Sequence, residues 1–303
     1  MNKIVHDRPC PISGTTSYRE KLFLRDSFYS QEVFPLLENC ASGLLITGRA
    51  PRGEALTTYY NSKDYISHSN NRHTLQDKLY QIARSFTLRW KRGVVLHSLS
   101  LPADELSVLD IGAGTGHFAH TMLQAGSTVV AIEQSESART VAHDQFGLAP
   151  LSTLRSNSFP DASFQAITLW HVLEHIEDLE YHFCEFRRLL APAGKLFFAL
   201  PNAESYDARY YGCDWAAYDV PRHLWHFTPR SLELLCRKEG FRISKIIPMK
   251  LDAFYIALLS EKYRRRKALP AMARALFLGL KALFRTWQKP TEASSLLYVV
   301  EKE

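Results

Sequence analysis

Residues 107–135, SVLDIGAGTGHFAHTMLQAGSTVVAIEQS, place Gly112, Gly114 and Gly116 at every second position between two apolar runs and close on Glu133. A glycine-rich turn directly after a strand lets backbone N–H groups and a helix N-terminus approach a ligand that side chains would fend off. The fingerprint for nicotinamide dinucleotides sets its third glycine three residues beyond the second. Here His117 holds that place, and Asp110, the last-but-one residue of the strand, adds a carboxylate that can hold the loop's own amides or meet a cationic amino group. The spacing favours a ligand carrying an amine over one carrying a pyrophosphate.

Around this loop the chain alternates between strand-like and helix-like stretches. Residues 108–111, 128–132, 149–153, 164–170, 196–200, 241–248 and 295–300 read as seven strands. Helical stretches at 117–125, 137–146 and 179–190, and one opened by Thr228 and Pro229, separate most of them. Such alternation predicts an α/β, doubly wound, Rossmann-like and mostly parallel seven-stranded sheet with helices on both faces. Leu75, Leu79, Ile82, Phe86, Trp90 and Val94 follow a near-3.6 period and predict a long amphipathic helix leading into it. Residues 1–55, broken by Pro9, Pro11, Gly14, Pro35, Gly43, Gly48, Pro51 and Gly53, form a small irregular segment. Residues 56–303 make the main domain, with a lid at 203–228 and a basic helical insertion at 261–291.

The run DIGAGTG with an acidic residue after the next strand resembles the class I S-adenosylmethionine-dependent methyltransferases. The resemblance implies that Gly112, Ala113 and Gly114 line the methionine part of the cofactor, with Asp110 and Gly116 completing the loop. Glu133 would accept hydrogen bonds from both ribose hydroxyls, and Gln134 would lie beside the adenine. A second motif, ITLWHVLEHIEDL at 167–179, resembles a segment of methyltransferases that act on small molecules and glycans, and places Trp170 and His171 beside the sulfonium. A third, YYGCDWAAYDVPRHLWHFTPRSL at 210–232, supplies aromatic residues, Asp219, Arg222, His223 and His226 to a substrate lid. A hydroxyl acceptor must lose a proton, which suits histidine. His223 is the first choice as base, His171 or His226 the next, and Asp219 the orienting carboxylate. Tyr60, Tyr65 or His68 would close over the cofactor.

Relatives resembling this chain begin with a zinc ribbon of two C-x-x-C-G knuckles. Here Cys10 is followed by Ser13, and Asn39 and Ser42 stand where the second cysteine pair would be, with Cys40 out of register. One thiolate of four makes no tetrahedral zinc site, so no metal is expected. Nucleic-acid base methylation is disfavoured, since the Asn/Asp-Pro-Pro-aromatic signature of such enzymes is missing.

The net charge of +6 is local. Of 37 Lys and Arg, nine fall within 262–289 with no acidic residue, leaving 28 against 31 Asp and Glu elsewhere. This argues against a nucleic-acid-coating protein and for one basic surface. Within that stretch Met272, Leu276, Leu280, Leu283 and Trp287 share one helical side and Arg274, Lys281 and Arg285 another, a pattern compatible with peripheral membrane contact. Five irregularly spaced cysteines and the lack of a leader or long apolar run predict a cytoplasmic protein, peripheral at the inner membrane face if that contact forms. The expected activity is O-methylation of a small molecule, glycan or lipid-linked saccharide. The alternatives are a cofactor-binding interaction protein whose catalysis has eroded, and a nicotinamide-dependent oxidoreductase.

Overall fold

The computed structural model describes residues 3–60, 75–155, 158–264 and 268–303. The chain divides into two compact units, one comprising 69–172, 181–198 and 298–303, the other 1–68, 173–180 and 199–297.

The loop-bearing unit is organised by three strands, β5 (Ser107–Ile111), β6 (Thr128–Ile132) and β7 (Phe164–Trp170). β5 pairs in parallel with both neighbours, Asp110 standing opposite Ala131 on one side and Thr168 on the other. Four of its five residues are buried, as expected of a central parallel strand covered on both faces. The mostly parallel sheet to which these strands belong has six members, ordered β10-β11-β8-β7-β5-β6. The others are β8 (Leu190–Pro201), β10 (Phe241–Pro248) and β11 (Ser295–Lys302).

The expected seventh strand at 149–153 is a single parallel bridge between Leu151 and Ile132. Leu151 donates its N–H to Ala131 and accepts from Glu133, and Pro150 before it has no N–H with which to extend the ladder. The long helix is present at Leu75–Leu99, but one member of the expected stripe faces outward and a residue beside the stripe is buried. Phe86 is 67% exposed, whereas Val95 is fully buried.

The other unit corrects the expectation of an irregular N-terminus. β1 (Lys3–Val5), β2 (Ser17–Arg25), β3 (Val33–Asn39) and β4 (Leu45–Thr47) form an antiparallel sheet whose fifth strand is β9, Trp225–His226. Leu24, Phe34, Leu36 and Leu45 share one core with Tyr211, Trp215, Tyr218, Ile256, Ala275 and Leu278. Period-2 alternation puts Leu22 and Leu24 inward and leaves Phe23 60% exposed. The supposed lid aromatics are therefore mainly core. Of the five preceding Phe227, only Tyr210 is exposed.

The four positions that the resemblance aligns with zinc knuckles converge. Cys10 Sγ lies 3.2 Å from Ser42 Oγ, and Ser13 and Ser42 both donate to Asn39 Oδ1 at 3.0 Å. The two turns match, Gly14 N–H to Cys10 O at 2.8 Å and Gly43 N–H to Asn39 O at 2.9 Å, with both glycines at positive φ. A thiol, two hydroxyls and an amide tie together what thiolates would tie through an ion. Combining Ser13→Cys, Asn39→Cys and Ser42→Cys with the native Cys10 is expected to create a tetrahedral four-thiolate site. Titration with Co²⁺ checks it: intense thiolate charge-transfer bands are expected for the triple variant and not for the wild type.

Candidate functional site

In the loop-bearing unit all three glycines have positive φ: 69° at Gly112, 55° at Gly114 and 80° at Gly116. Two are also held by packing. A Cβ on Gly112 would come within 2.4 Å of Val172 Cγ2, and one on Gly116 within 2.6 Å of Leu148 Cδ1. A Cβ on Gly114 would meet no described atom within 4 Å, so this is the point at which the backbone lies open.

The amides of Gly112 and Ala113 donate to the Ile132 carbonyl at 2.8 and 2.9 Å, while Gly114 N–H donates to Glu133 Oε2 at 2.8 Å. Ser135 N–H holds the other oxygen, Oε1, also at 2.8 Å. Each carboxylate oxygen keeps a second lone pair, so Glu133 is fixed in place and can still accept. Gln134 is exposed, and its carbonyl accepts from Arg139.

Asp110 does not hold the loop amides; one of its two expected roles is thereby removed. Its Oδ1 accepts from Thr168 Oγ1 at 2.7 Å, and among the described residues Oδ2 has no hydrogen-bond partner although it is buried. Burial pushes this carboxyl up to about 7, Lys91 pulling it down and Glu133 pushing it further up. Trp170 packs edge-on against Phe118, with the Lys91 ammonium 4.3 Å from its ring centre. His171 sits at φ 60°, a conformation costly for a residue with a side chain and characteristic of functional sites. A cavity of about 390 Å³ in the same unit is lined by Gln81, Arg84, Ser85, Leu88, His117, Gln145 and Phe146, none of them an expected site residue.

The remaining expected residues lie in the other unit. Arg222 is fully buried and pairs with Asp219 at 2.6 Å and Asp26 at 3.0 Å, donating also to the Tyr59 carbonyl. Although burial opposes ionisation, the Ser30 N–H and Arg222 hold the Asp26 carboxyl below its usual range, and Arg222 does the same for Asp219. His223 Nδ1–H donates to Ala217 O at 2.9 Å, leaving Nε2 as the lone-pair side of the neutral ring, 4.0 Å from both Glu174 Oε1 and Asp219 Oδ2. Its orienting partner is thus a backbone carbonyl, while Asp219 is engaged by Arg222. Burial, reinforced by His175, lowers His223 to about 4.

Thr47 spends its single proton on the His223 carbonyl, so the 2.9 Å contact between Thr47 Oγ1 and His226 Nε2 requires His226 to donate. Burial and His223 keep His226 neutral. Among the described residues, Glu174, His175 and His223 bring ligating atoms within 4.8 Å of one another, a donor set able to accept a cation. Tyr60 OH lies 3.0 Å from His175 Nδ1; Tyr65 and His68 are outside the described residues.

Sequence reasoning missed Thr168, Ser135 and Val172 as supports. The cross-strand register that pairs Thr168 with Asp110 is the signal that would have found the first. Gln165 is a further support, its Oε1 accepting from Ser107 N–H at the start of β5 at 2.8 Å.

Known proteins agree with the loop. The chain is 32% identical over 111 residues to the demethylmenaquinone methyltransferase of Tropheryma whipplei (strain Twist), covering 35% of this chain and 46% of that protein. It is 27% identical over 155 residues to a ubiquinone biosynthesis O-methyltransferase of Thiobacillus denitrificans, covering 47% and 67%. In fold it is similar to a Galdieria sulphuraria structure described as a sarcosine dimethylglycine methyltransferase, with a TM-score of 0.50, 14% identity and coverage of 73% and 86%. The chain thus spans about half the length of the T. whipplei protein, and the low-identity structure speaks for fold alone. A family model described as a methyltransferase domain matches residues 76–246, more than half of the chain. That match takes in the glycine loop, Glu133 and the segment through His175, and by it the chain belongs to the methyltransferase-domain family, the class I enzymes that take their methyl group from S-adenosylmethionine.

Proposed function

We propose that the chain O-methylates a small molecule or a lipid-linked saccharide. The observation that carries this reading is the pairing of Gly114 with Glu133, an open backbone position beside a carboxylate held by two amides with lone pairs to spare. In it, Gly112, Ala113, Gly114 and Gly116 cradle the methionine part of S-adenosylmethionine, Glu133 takes the ribose hydroxyls and Gln134 borders the adenine. Asp110, whose Oδ2 is without a described partner, meets the cofactor's ammonium. Trp170 and His171 border the sulfonium. When bound, the cofactor supplies an electrophilic methyl group, and the protein's part is to align the acceptor and exclude water.

The acceptor hydroxyl must give up its proton. His223 is neutral near pH 7 and keeps its Nε2 lone pair, so it remains our base, with His171 second. His226 and Asp219, committed to Thr47 and Arg222, are assigned to positioning. That the T. denitrificans relative is described as an O-methyltransferase supports a hydroxyl acceptor. The reading places the protein in the cytoplasm and includes no nucleic acid; residues 1–55 are a ribbon that has exchanged its metal for hydrogen bonds.

Calorimetric titration of purified protein with S-adenosylmethionine and with NADH tests the cofactor assignment. We expect binding of the first only, weakened more than tenfold, about 1.4 kcal/mol, by Glu133→Ala. A wild-type protein that binds neither compound overturns the reading.

A further inference from the structure

The helix Ala268–Gln288 divides its circumference into three sectors. Ala271, Ala275, Leu278, Ala282 and Thr286, spaced by three or four, are buried in its own unit. Gly279 lies against the neighbouring helix Asp252–Tyr263, where a Cβ would come within 2.4 Å of the Phe254 ring. A second sector carries Met272, Leu276, Phe277, Leu280, Phe284 and Trp287, each more than half exposed and Trp287 81% exposed. A third, beside it, carries Arg274, Lys281 and Arg285, all exposed. The helix contains no acidic residue. The neighbouring helix and the residue before it add an exposed row of their own, Leu251, Tyr255 and Leu258.

Such a continuous apolar row is rare on a surface facing only water. Its own unit does not cover it, because the helix packs through a different sector. An uninterrupted basic row alongside selects for an anionic partner, and apolar side chains flanked by lysine and arginine are what the boundary between headgroups and acyl chains accommodates. No described helix is long and apolar enough to cross a membrane, so this one would lie along the surface. We propose that the face bearing Met272, Leu276, Leu280, Phe284 and Trp287 docks on an anionic lipid bilayer, its aromatic and aliphatic side chains entering the acyl boundary and Arg274, Lys281 and Arg285 pairing with lipid phosphates. The cytoplasmic leaflet supplies such a surface. The docking does not depend on which acceptor is methylated. It brings the protein to a plane where substrates with lipid tails are concentrated.

Co-sedimentation of the full chain with vesicles of phosphatidylcholine alone, or of phosphatidylcholine mixed with phosphatidylglycerol, tests it. We expect at least tenfold stronger partitioning onto the anionic vesicles, reduced by high salt. Phe284→Glu with Trp287→Glu, and separately Lys281→Glu with Arg285→Glu, should each reduce it at least tenfold. These side chains are exposed, and unchanged circular dichroism and S-adenosylmethionine affinity would show that the variants keep their fold. Equal binding to both vesicle types, or to neither, overturns the proposal. So does a concentration-dependent dimer in sedimentation velocity that Trp287→Glu abolishes, because the face would then join two copies of the chain.

Discussion

Replacing Arg222 by leucine is expected to cost about 3–5 kcal/mol, the usual consequence of leaving buried charge without its partner. The guanidinium is fully buried, and its removal strands two carboxylates, Asp26 and Asp219, in low dielectric. The sign of the pH dependence distinguishes stranded charge from lost packing. In the wild type both carboxyls are held below 3.8, so their contribution is fully present above about pH 4 and declines as pH falls through their lowered values. In Arg222→Leu, Asp219 loses the largest influence that lowers it and Asp26 loses one of several, keeping its bonds from the Ser30 and Phe28 N–H groups, so both carboxyls move upward and the variant's deficit should shrink as pH falls from neutral. Adding Asp26→Asn and Asp219→Asn should recover at least half of the loss at pH 7. Urea unfolding midpoints across pH check this. A variant whose deficit is independent of pH, and unrelieved by the asparagines, would show that arginine acts by filling space.

Asp110→Asn should separate stability from ligand binding. The carboxyl has its ordinary value near 3.8 in the unfolded chain and about 7 in the fold. Between those values the native state holds a proton that the unfolded state has released, so stability declines as pH rises from about 4 to about 7 and stays low above it. At about 1.4 kcal/mol per unit, the penalty at pH 8 is on the order of 4 kcal/mol. Asparagine removes the charge and can still accept from Thr168, so the ligand-free variant is expected to be more stable than wild type at pH 8 and nearly equal at pH 4. Its affinity for S-adenosylmethionine should fall at least tenfold, since no anion remains for the ammonium group. Thermal unfolding with and without the cofactor measures both effects. A variant that is stabilised and still binds at full strength would free Asp110 from any part in cofactor recognition.

The contrast between these two residues shows what the sequence makes legible. Glycine spacing, the carboxylate after the second strand and the alternation of strands are local patterns, and three of the strand assignments around the loop coincide with β5, β6 and β7. Partnerships across distance leave no such trace. Arg222 meets Asp26 across 196 positions of sequence, and the Thr47 hydroxyl reaches the His223 carbonyl across 176. Asp110 could be singled out from the motif, but its bond to Thr168 follows from strand register, which the motif does not contain. The exposure of Phe86 on the Leu75–Leu99 helix has the same origin: periodicity says which side chains lie together, while the surroundings decide which of them are covered. The seventh strand failed on chemistry that was legible, for Pro150 was visible from the start.

The hydrogen-bonded cluster of Cys10, Ser13, Asn39 and Ser42 has a consequence for tolerance to change. Asn39 is its hub, because its one side-chain oxygen accepts from both serines. Replacing either serine removes a single bond to that oxygen, whereas replacing Asn39 removes both and leaves two hydroxyls to find new partners. The two turns are therefore most exposed to change at the one position that both of them share.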